Sequence, residues 1–195
     1  PVLVDSFASG SFFIWGAQME AGSYATSYIP TTSASVTRNA DVISKTGISS
    51  LIGQTEGTLF VDLYRPTSNS PFIFMLANST GSNAYLNSLY LYQVDTSQLI
   101  FDVFVSGALQ ASIATSSSGL SVGRHKIAFA YKQNDFVLYV DGTQIGTDTS
   151  GNVPTLSAFE INGADIASAS NVDTNAVALW KTRLTNTQLA QLTTI

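Results

Sequence analysis

The sequence of 195 residues contains no cysteine, which excludes disulfides, thiolate catalysis and zinc–thiolate sites together. Charged side chains are also scarce, at 11 % against an ordinary share of about a quarter. The eight Lys and Arg residues are scattered singly and the net charge is −5, so we expect no nucleic-acid binding. Long apolar runs and signal-peptide patterns are missing as well, so we expect no membrane insertion.

Hydrophobic residues make up 45 % of the chain and aromatic residues 11 %, which is enough for one globular domain with a full core. With so little charge, solubility depends on Ser, Thr, Asn, Gln and Gly. Such a surface is typical of extracellular β proteins and of tightly assembled multimers. The chain begins with Pro1 and lacks an initiator methionine, so we expect it to be a piece of a longer polypeptide.

The clearest pattern lies in Gly123–Gly146. Side chains alternate with period two over Ile127–Tyr131 and again over Phe136–Val140, which predicts two antiparallel strands. Asp141 and Gly142 then supply the two positive-φ positions of a type I′ turn, after which a third strand begins.

Short runs of the same kind recur about every ten residues along the chain. They are GTLFVDLYR, PFIFMLAN, SLYLYQV, LIFDVFV, LQASIAT and AVALWKT. This spacing predicts an all-β fold, an antiparallel two-sheet sandwich of the jelly-roll type. A short C-terminal helix is predicted as well, because Thr185 and Gln188 form a capping box and Leu184 and Leu189 are placed for a hydrophobic staple. We expect this helix to dock on the edge of the sandwich.

The first 36 residues have a different character. SFFIWGAQME is apolar on both faces of a strand, with Phe12 and Ile14 on one face and Phe13 and Trp15 on the other, and TTSASV is a Ser/Thr-rich linker. We therefore expect residues 1–36 to be an N-terminal strand and linker that end a preceding domain. Residues 37–195 are predicted to form the sandwich.

Two stretches resemble known families. Within residues 56–184, the opening EGTLFVD, the central GRHKIAFAY and LYVDG, and the closing ALWKTRLT are similar to laminin-G-like, concanavalin A-like lectin domains. Residues 14–31, IWGAQMEAGSYATSYIPT, followed by TRNAD, resemble a segment of bacteriophage tail fibre and tail spike proteins. In those proteins the segment leads from one sandwich into a concanavalin A-like one.

The resemblance implies a distal fragment of a phage or prophage tail protein. It also implies a place on the virion tail, contact with bacterial surface glycans, and a homo-trimer formed through the full-length fibre. Two features depart from the family pattern: Arg124 replaces the usual aromatic residue after Gly123, and no cluster matches the calcium ligands of the calcium-dependent relatives.

Sugar binding requires an aromatic ring for the apolar face of a pyranose, and amide or carboxylate groups for its hydroxyls. Alternation places several rings opposite the leucine face of their strands. These rings are the candidate carbohydrate-binding residues: Tyr64, Tyr85, Tyr90, Tyr92 and Trp180. Rings of a sandwich also serve as core or as a subunit interface, and that alternative stays open.

No cofactor is required by the pattern, but oxygen-bearing turn residues are compatible with calcium. One candidate set is Asn134, Asp135 and Asp141; Asp165 and Asp173 form another. Asn and Asp are also favoured in hairpin turns for backbone reasons.

Catalytic patterns are missing from the sequence. Glu20, Glu56 and Glu160 are far apart, so the paired carboxyl groups of a glycosidase motif are absent, and there is no G-x-S-x-G elbow. For His125 we expect a partly exposed residue at a strand edge rather than a general base. We therefore predict that the fragment is not an enzyme.

Three functions remain in order of preference. The first is a carbohydrate-binding module of a tail protein that recognises host bacterial surface polysaccharide. The second is a structural or trimerisation module without sugar binding, which the low charge and the two-sided apolar strand favour. The third is an accessory domain of a glycan depolymerase.

Overall fold

The computed structural model describes residues 13, 16–20, 28–31, 33–36, 43–81, 83–93, 97–116, 118–161 and 172–195. The chain divides into two compact units, Pro1–Asn39 and Ala40–Ile195. In the first unit, the side-chain oxygen of Gln18 accepts a hydrogen bond from the backbone N–H of Ile29 at 2.7 Å. Phe12, Ile14 and Trp15 of the predicted N-terminal strand lie outside the described residues. That this unit ends a preceding domain stays a prediction.

The second unit is an all-β sandwich of two antiparallel sheets, which confirms the predicted fold class. The six-stranded sheet has the order β1 (Ile43–Lys45), β10 (Ala158–Ile161), β3 (Phe72–Ala77), β4 (Ser88–Gln93), β5 (Ile100–Val105), β6 (Ala108–Ala114). The five-stranded sheet has the order β11 (Asp173–Trp180), β2 (Glu56–Arg65), β7 (Gly123–Lys132), β8 (Asp135–Val140), β9 (Thr143–Asp148).

The core lies between the two sheets because every second side chain of the inner strands points inward. Leu59, Val61 and Leu63 of β2 are fully buried there. Phe101 of the six-stranded sheet stacks on Phe129 of the five-stranded sheet, with ring centroids 4.5 Å apart and planes 21° from parallel. This stack joins the two layers.

The central meander has the predicted form. Strands β7, β8 and β9 follow one another in the five-stranded sheet, and Asp141 and Gly142 have φ angles of 49° and 79° in the turn after β8. Alternation along β8 divides its apolar residues between the core and the opposite face of the sheet, where Val137 and Tyr139 lie. The outer face of this sheet therefore needs a cover.

The C-terminal helix α1 (Asn186–Thr193) supplies that cover. Thr185 is its N-cap and forms the predicted capping box with Gln188. Leu184 and Leu189 pack in one apolar cluster with Phe60, Ala128, Ala130, Val137 and Tyr139 of the sheet. The prediction that the helix docks on the edge of the sandwich is wrong, because the outward-facing apolar residues of β2, β7 and β8 draw it onto the face.

Within the described part of the chain, no helix has the length and apolar character needed to cross a bilayer.

Candidate functional site

The outer face of the six-stranded sheet carries an unusual mixture of aromatic and acidic side chains. Antiparallel pairing places one residue from each of five neighbouring strands at the same level: Glu160, Met75, Tyr90, Asp102 and Ser112. Tyr92 lies two residues after Tyr90 in β4 and is therefore on the same face, because residues two apart in a strand point the same way.

Tyr90 and Tyr92 form a pair, with ring centroids 4.5 Å apart and ring planes inclined by 34°. The hydroxyl of Tyr92 donates a hydrogen bond to Oδ2 of Asp102 at 3.2 Å. Asp102 is only 8 % exposed, and its other oxygen, Oδ1, has no hydrogen-bond partner among the described residues. The pair and this carboxylate are called the tyrosine–aspartate site below.

Both phenols of the site are protonated at neutral pH, and burial moves their pKa further above it. Desolvation, helped by the negative charge of Asp102, raises the pKa of Tyr92 to about 12. Burial also raises the pKa of Tyr90, and the neighbouring Tyr92 and Asp102 add to the effect. At neutral pH the Tyr92 hydroxyl therefore remains a hydrogen donor to Asp102, and its own lone pairs are left for other donors.

The β3 side of this face is covered and the β6 side is open to solvent. Ile73 and Met75 on β3 are 1 % and 4 % exposed, Tyr90 and Tyr92 on β4 are half-buried, and Ser112 on β6 is exposed. The tyrosine–aspartate site is thus at the boundary between the covered and the open half of the face.

Tyr85 lies near this site on a short 3₁₀ turn, Ala84–Leu86, between β3 and β4. Ala84 of the turn packs against Met75, Ala77 and Tyr90, while the Tyr85 side chain is about half exposed. Three of the five candidate rings therefore lie on or next to the six-stranded sheet: Tyr85, Tyr90 and Tyr92.

Tyr64 and Trp180 lie on the other sheet. Tyr64 is exposed near the end of β2, opposite Arg124 on β7. Trp180 is half-buried at the end of β11 and packs against the apolar cluster beneath α1. The structure therefore does not bring these two residues together with the Tyr90–Tyr92 pair.

Near Tyr64, the carboxylate of Asp62 accepts three hydrogen bonds from two residues. Arg124 donates to it through Nε at 2.9 Å and Nη2 at 2.5 Å, and Asn175 donates through Nδ2 at 3.1 Å. The pKa of Asp62 is lower than its ordinary value. The hydrogen bond from Arg124 is the main cause and that from Asn175 contributes, whereas burial acts in the opposite direction. Arg124, the departure from the family pattern, therefore has a structural partner.

The predicted calcium residues lie at opposite ends of β8. Asn134 and Asp135 precede or begin this strand and Asp141 follows it, and six extended residues span about 20 Å. Asp135 pairs with Arg183 at 2.9 Å. The three do not form one site, and among the described residues no group of three acidic or histidine side chains could hold a metal ion. Asp173 is exposed at the start of β11, and Asp165 lies outside the described residues.

His125 is buried, at 6 % exposed, so the expectation of a partly exposed edge residue is wrong. The reason is that β7 is the central strand of its sheet. Its Nδ1 lies 2.6 Å from Oδ2 of Asp141, and its Nε2 lies 3.0 Å from the carbonyl oxygen and 3.3 Å from the hydroxyl of Ser121. Because a carbonyl oxygen only accepts hydrogen bonds, Nε2 donates to it and is not a base for the Ser121 hydroxyl. The ring therefore links the segment before β7 to the turn after β8.

The two buried acids of the outer face are too far apart for paired carboxylate chemistry. Asp102 and Glu160 lie on β5 and β10, which are separated by β4 and β3. Three strand spacings amount to roughly 14 Å. A glycosidase pair requires about 5 to 10 Å.

Asp102 is the residue of the tyrosine–aspartate site that the sequence did not suggest. The run LIFDVFV places it on the same face as Ile100 and Phe104, and a lone carboxylate on an otherwise apolar face is a usable signal. Its neighbours on β4 depend on the register between strands, which alternation alone does not fix.

Comparison with known proteins supports the fold. No family model and no curated protein matches the chain. Among solved structures, the CBM40 of Ruminococcus gnavus IT-sialidase bound to α2,3-sialyllactose is similar at a TM-score of 0.56 and 11 % identity, over 78 % of this chain and 98 % of that one.

Two further structures are similar. A SAP-like pentraxin from Limulus polyphemus has a TM-score of 0.52 at 14 % identity, over 72 % of this chain and 70 % of its own. The leech intramolecular trans-sialidase has a TM-score of 0.57 at 16 % identity over 73 % of this chain, which spans only 24 % of the leech protein. The described sandwich therefore has the concanavalin A-like lectin fold that the family resemblance implies.

Proposed function

We propose that the sandwich is a non-catalytic carbohydrate-binding module and that the tyrosine–aspartate site binds the sugar. The observation that carries this proposal is the half-buried pair of Tyr90 and Tyr92 beside a buried carboxylate. Aromatic rings pack on the apolar face of a pyranose, and oxygen acceptors orient its hydroxyls. Likeness in fold to the CBM40 gives further support.

The wider setting is also a proposal. The resemblance of residues 14–31 to phage tail segments supports a place in a viral tail protein, on the virion tail, with a host surface polysaccharide as the ligand. On a trimeric fibre, three copies would multiply a weak affinity for a repeating polysaccharide, since later contacts become intramolecular.

The test is a calorimetric titration of the purified chain with surface polysaccharides from candidate bacterial hosts. We expect saturable binding, and Tyr90→Ala should weaken it at least about fivefold, because the apolar platform is lost. Removing calcium with EDTA should leave the affinity unchanged. A calcium site requires six to eight oxygen ligands, and the three predicted calcium residues do not form one site.

Tyr64→Ala is the matched control, since it removes the same side chain from the opposite sheet. It should leave the affinity unchanged, and the thermal midpoint of both variants verifies folding. If Tyr64→Ala or Trp180→Ala abolishes binding while Tyr90→Ala does not, the site lies on the five-stranded sheet. If no polysaccharide binds and the chain is a stable trimer, the structural function replaces this one.

A further inference from the structure

In the tyrosine–aspartate site, Tyr92 and Asp102 offer hydrogen-bond acceptors and negative charge to a ligand. Asp102 is buried, and no arginine or lysine pairs with it in the described structure. The Tyr92 hydroxyl donates its hydrogen bond to Oδ2 of Asp102. What Tyr92 and Asp102 leave for a ligand are therefore oxygen lone pairs.

The described strands next to the site carry no positive charge. Along the described strands β3, β4, β5 and β6 the sequence contains neither lysine nor arginine. Glu160, at the same level on β10, is a second acidic side chain of the face. Because Asp102 is largely shielded from water, its charge is screened less than a surface charge would be.

From this pattern we propose that the site binds uncharged or amino sugars and rejects acidic ones such as sialic acid and uronic acids. The proposal rests on the function proposed above and specifies its ligand class. Hydroxyl and amino groups donate to the acceptors of Tyr92 and Asp102. A sugar carboxylate needs donors, and the Tyr90 hydroxyl is the one donor of the three side chains that is not already used. Bound there, the carboxylate would lie beside the negative charge of Asp102.

The half-buried position of Tyr90 fits this ligand class. Tyr90 is the direct cross-strand neighbour of Asp102, and its phenol is close enough for the carboxylate charge to affect it. Oδ1 of Asp102 has no hydrogen-bond partner among the described residues, so it is an acceptor for a donor group of a ligand bound beside Tyr90. Satisfying this atom favours the bound state.

The experiment compares glycans that differ by one acidic group: lactose with 3′-sialyllactose, and xylan with glucuronoxylan, alongside neutral and acidic polysaccharides from candidate hosts. We expect the neutral member of a binding pair to have at least about tenfold higher affinity in low salt. Added NaCl should narrow the gap, since screening weakens the repulsion.

Asp102→Asn is the diagnostic variant. It should weaken binding of the neutral glycan and strengthen binding of the acidic one, so that the gap shrinks. Asp173→Asn makes the same charge change at an exposed position of the opposite sheet and should leave both affinities unchanged. If Asp102→Asn does not fold, Tyr92→Phe, which removes the hydroxyl bonded to Asp102, should weaken neutral binding in its place.

The outcomes separate this inference from the proposed function. Equal or tighter binding of the acidic member, or an unchanged gap in Asp102→Asn, overturns the inference and leaves the carbohydrate-binding function in place. Absence of binding to any glycan overturns the proposed function, and the inference with it.

Discussion

Asp62 shows how one residue combines charge and burial. It is 5 % exposed on the outer face of the five-stranded sheet, where Arg124 and Asn175 donate to it. These bonds favour the ionised carboxylate and lower its pKa. A folded pKa below the unfolded value contributes stability above the unfolded pKa, and that contribution is lost as the pH falls through the folded pKa.

We therefore expect Asp62→Asn to destabilise the fold at pH 7 and to have a smaller effect at pH 3, where the pH has fallen below the unfolded pKa of about 3.9 and towards the lower folded pKa. Urea denaturation of wild type and variant at both pH values measures this. Asp173→Asn, at an exposed position on the adjacent strand, serves as the control and should show no such pH dependence. An equal loss of stability at pH 3 and pH 7 would contradict the argument.

At the scale of single elements, α1 depends on its N-cap. Thr185 accepts from the backbone N–H of Gln188, and the Gln188 side chain accepts from the backbone N–H of Thr185. These bonds satisfy donors that the first turn of any helix leaves without intrahelical partners. The helix also covers the outer face of the five-stranded sheet through the fully buried Leu189.

Thr185→Ala should lower the free energy of unfolding by about 1 kcal/mol, because the N-cap oxygen is lost. Thr187→Ala is the matched control, since Thr187 is exposed within the same helix and alanine has the higher helix propensity. Chemical denaturation followed by tryptophan fluorescence suits the measurement, since Trp180 packs near the helix. Equal losses in the two variants would show that the cap contributes nothing.

The helix also shows what could be read from the sequence at this scale. Its start was predictable because a capping box and a staple are local patterns. Its docking place depends on Phe60, Val137 and Tyr139, which belong to strands up to about 125 residues away in sequence. The alternation of β8 indicates that both faces of this strand are apolar. The further inference, that the outer face requires a covering element, could have been drawn from it.

For the whole molecule, the two sheets are joined by side chains that meet between them. Phe101 and Phe129 come from different sheets and are both fully buried. Phe129→Ala should lower the free energy of unfolding by about 3 to 5 kcal/mol, because it leaves a cavity between the layers. Phe104→Ala, at a half-buried position of the six-stranded sheet, should cost clearly less.

Equilibrium unfolding in urea measures both variants. A cost for Phe129→Ala no larger than that for Phe104→Ala would mean that the stacked pair does not hold the layers together.

At this scale the sandwich itself could be predicted, since strand spacing and alternation are properties of the sequence. The candidate site could be predicted only in part. Tyr90 and Tyr92 were identified by alternation along one strand, whereas their neighbour Asp102 is placed by the pairing of β4 with β5. The same limit applies to Tyr64 and Trp180. Alternation indicates that their side chains point outward, but it does not show that they belong to the other sheet.

The sheet order also bears on self-association. Strands β6 and β9 contact each other across the sandwich, and the backbone N–H of Ser112 on β6 donates to Asp148 on β9. The outermost strands at the other ends of the two sheets, β1 and β11, therefore share the opposite flank. There β1 has three residues and β11 has a register shift between Thr174 and Ala176. Short and irregular edge strands are poor templates for strands of another chain. This flank therefore resists the strand-by-strand addition that leads to fibrils.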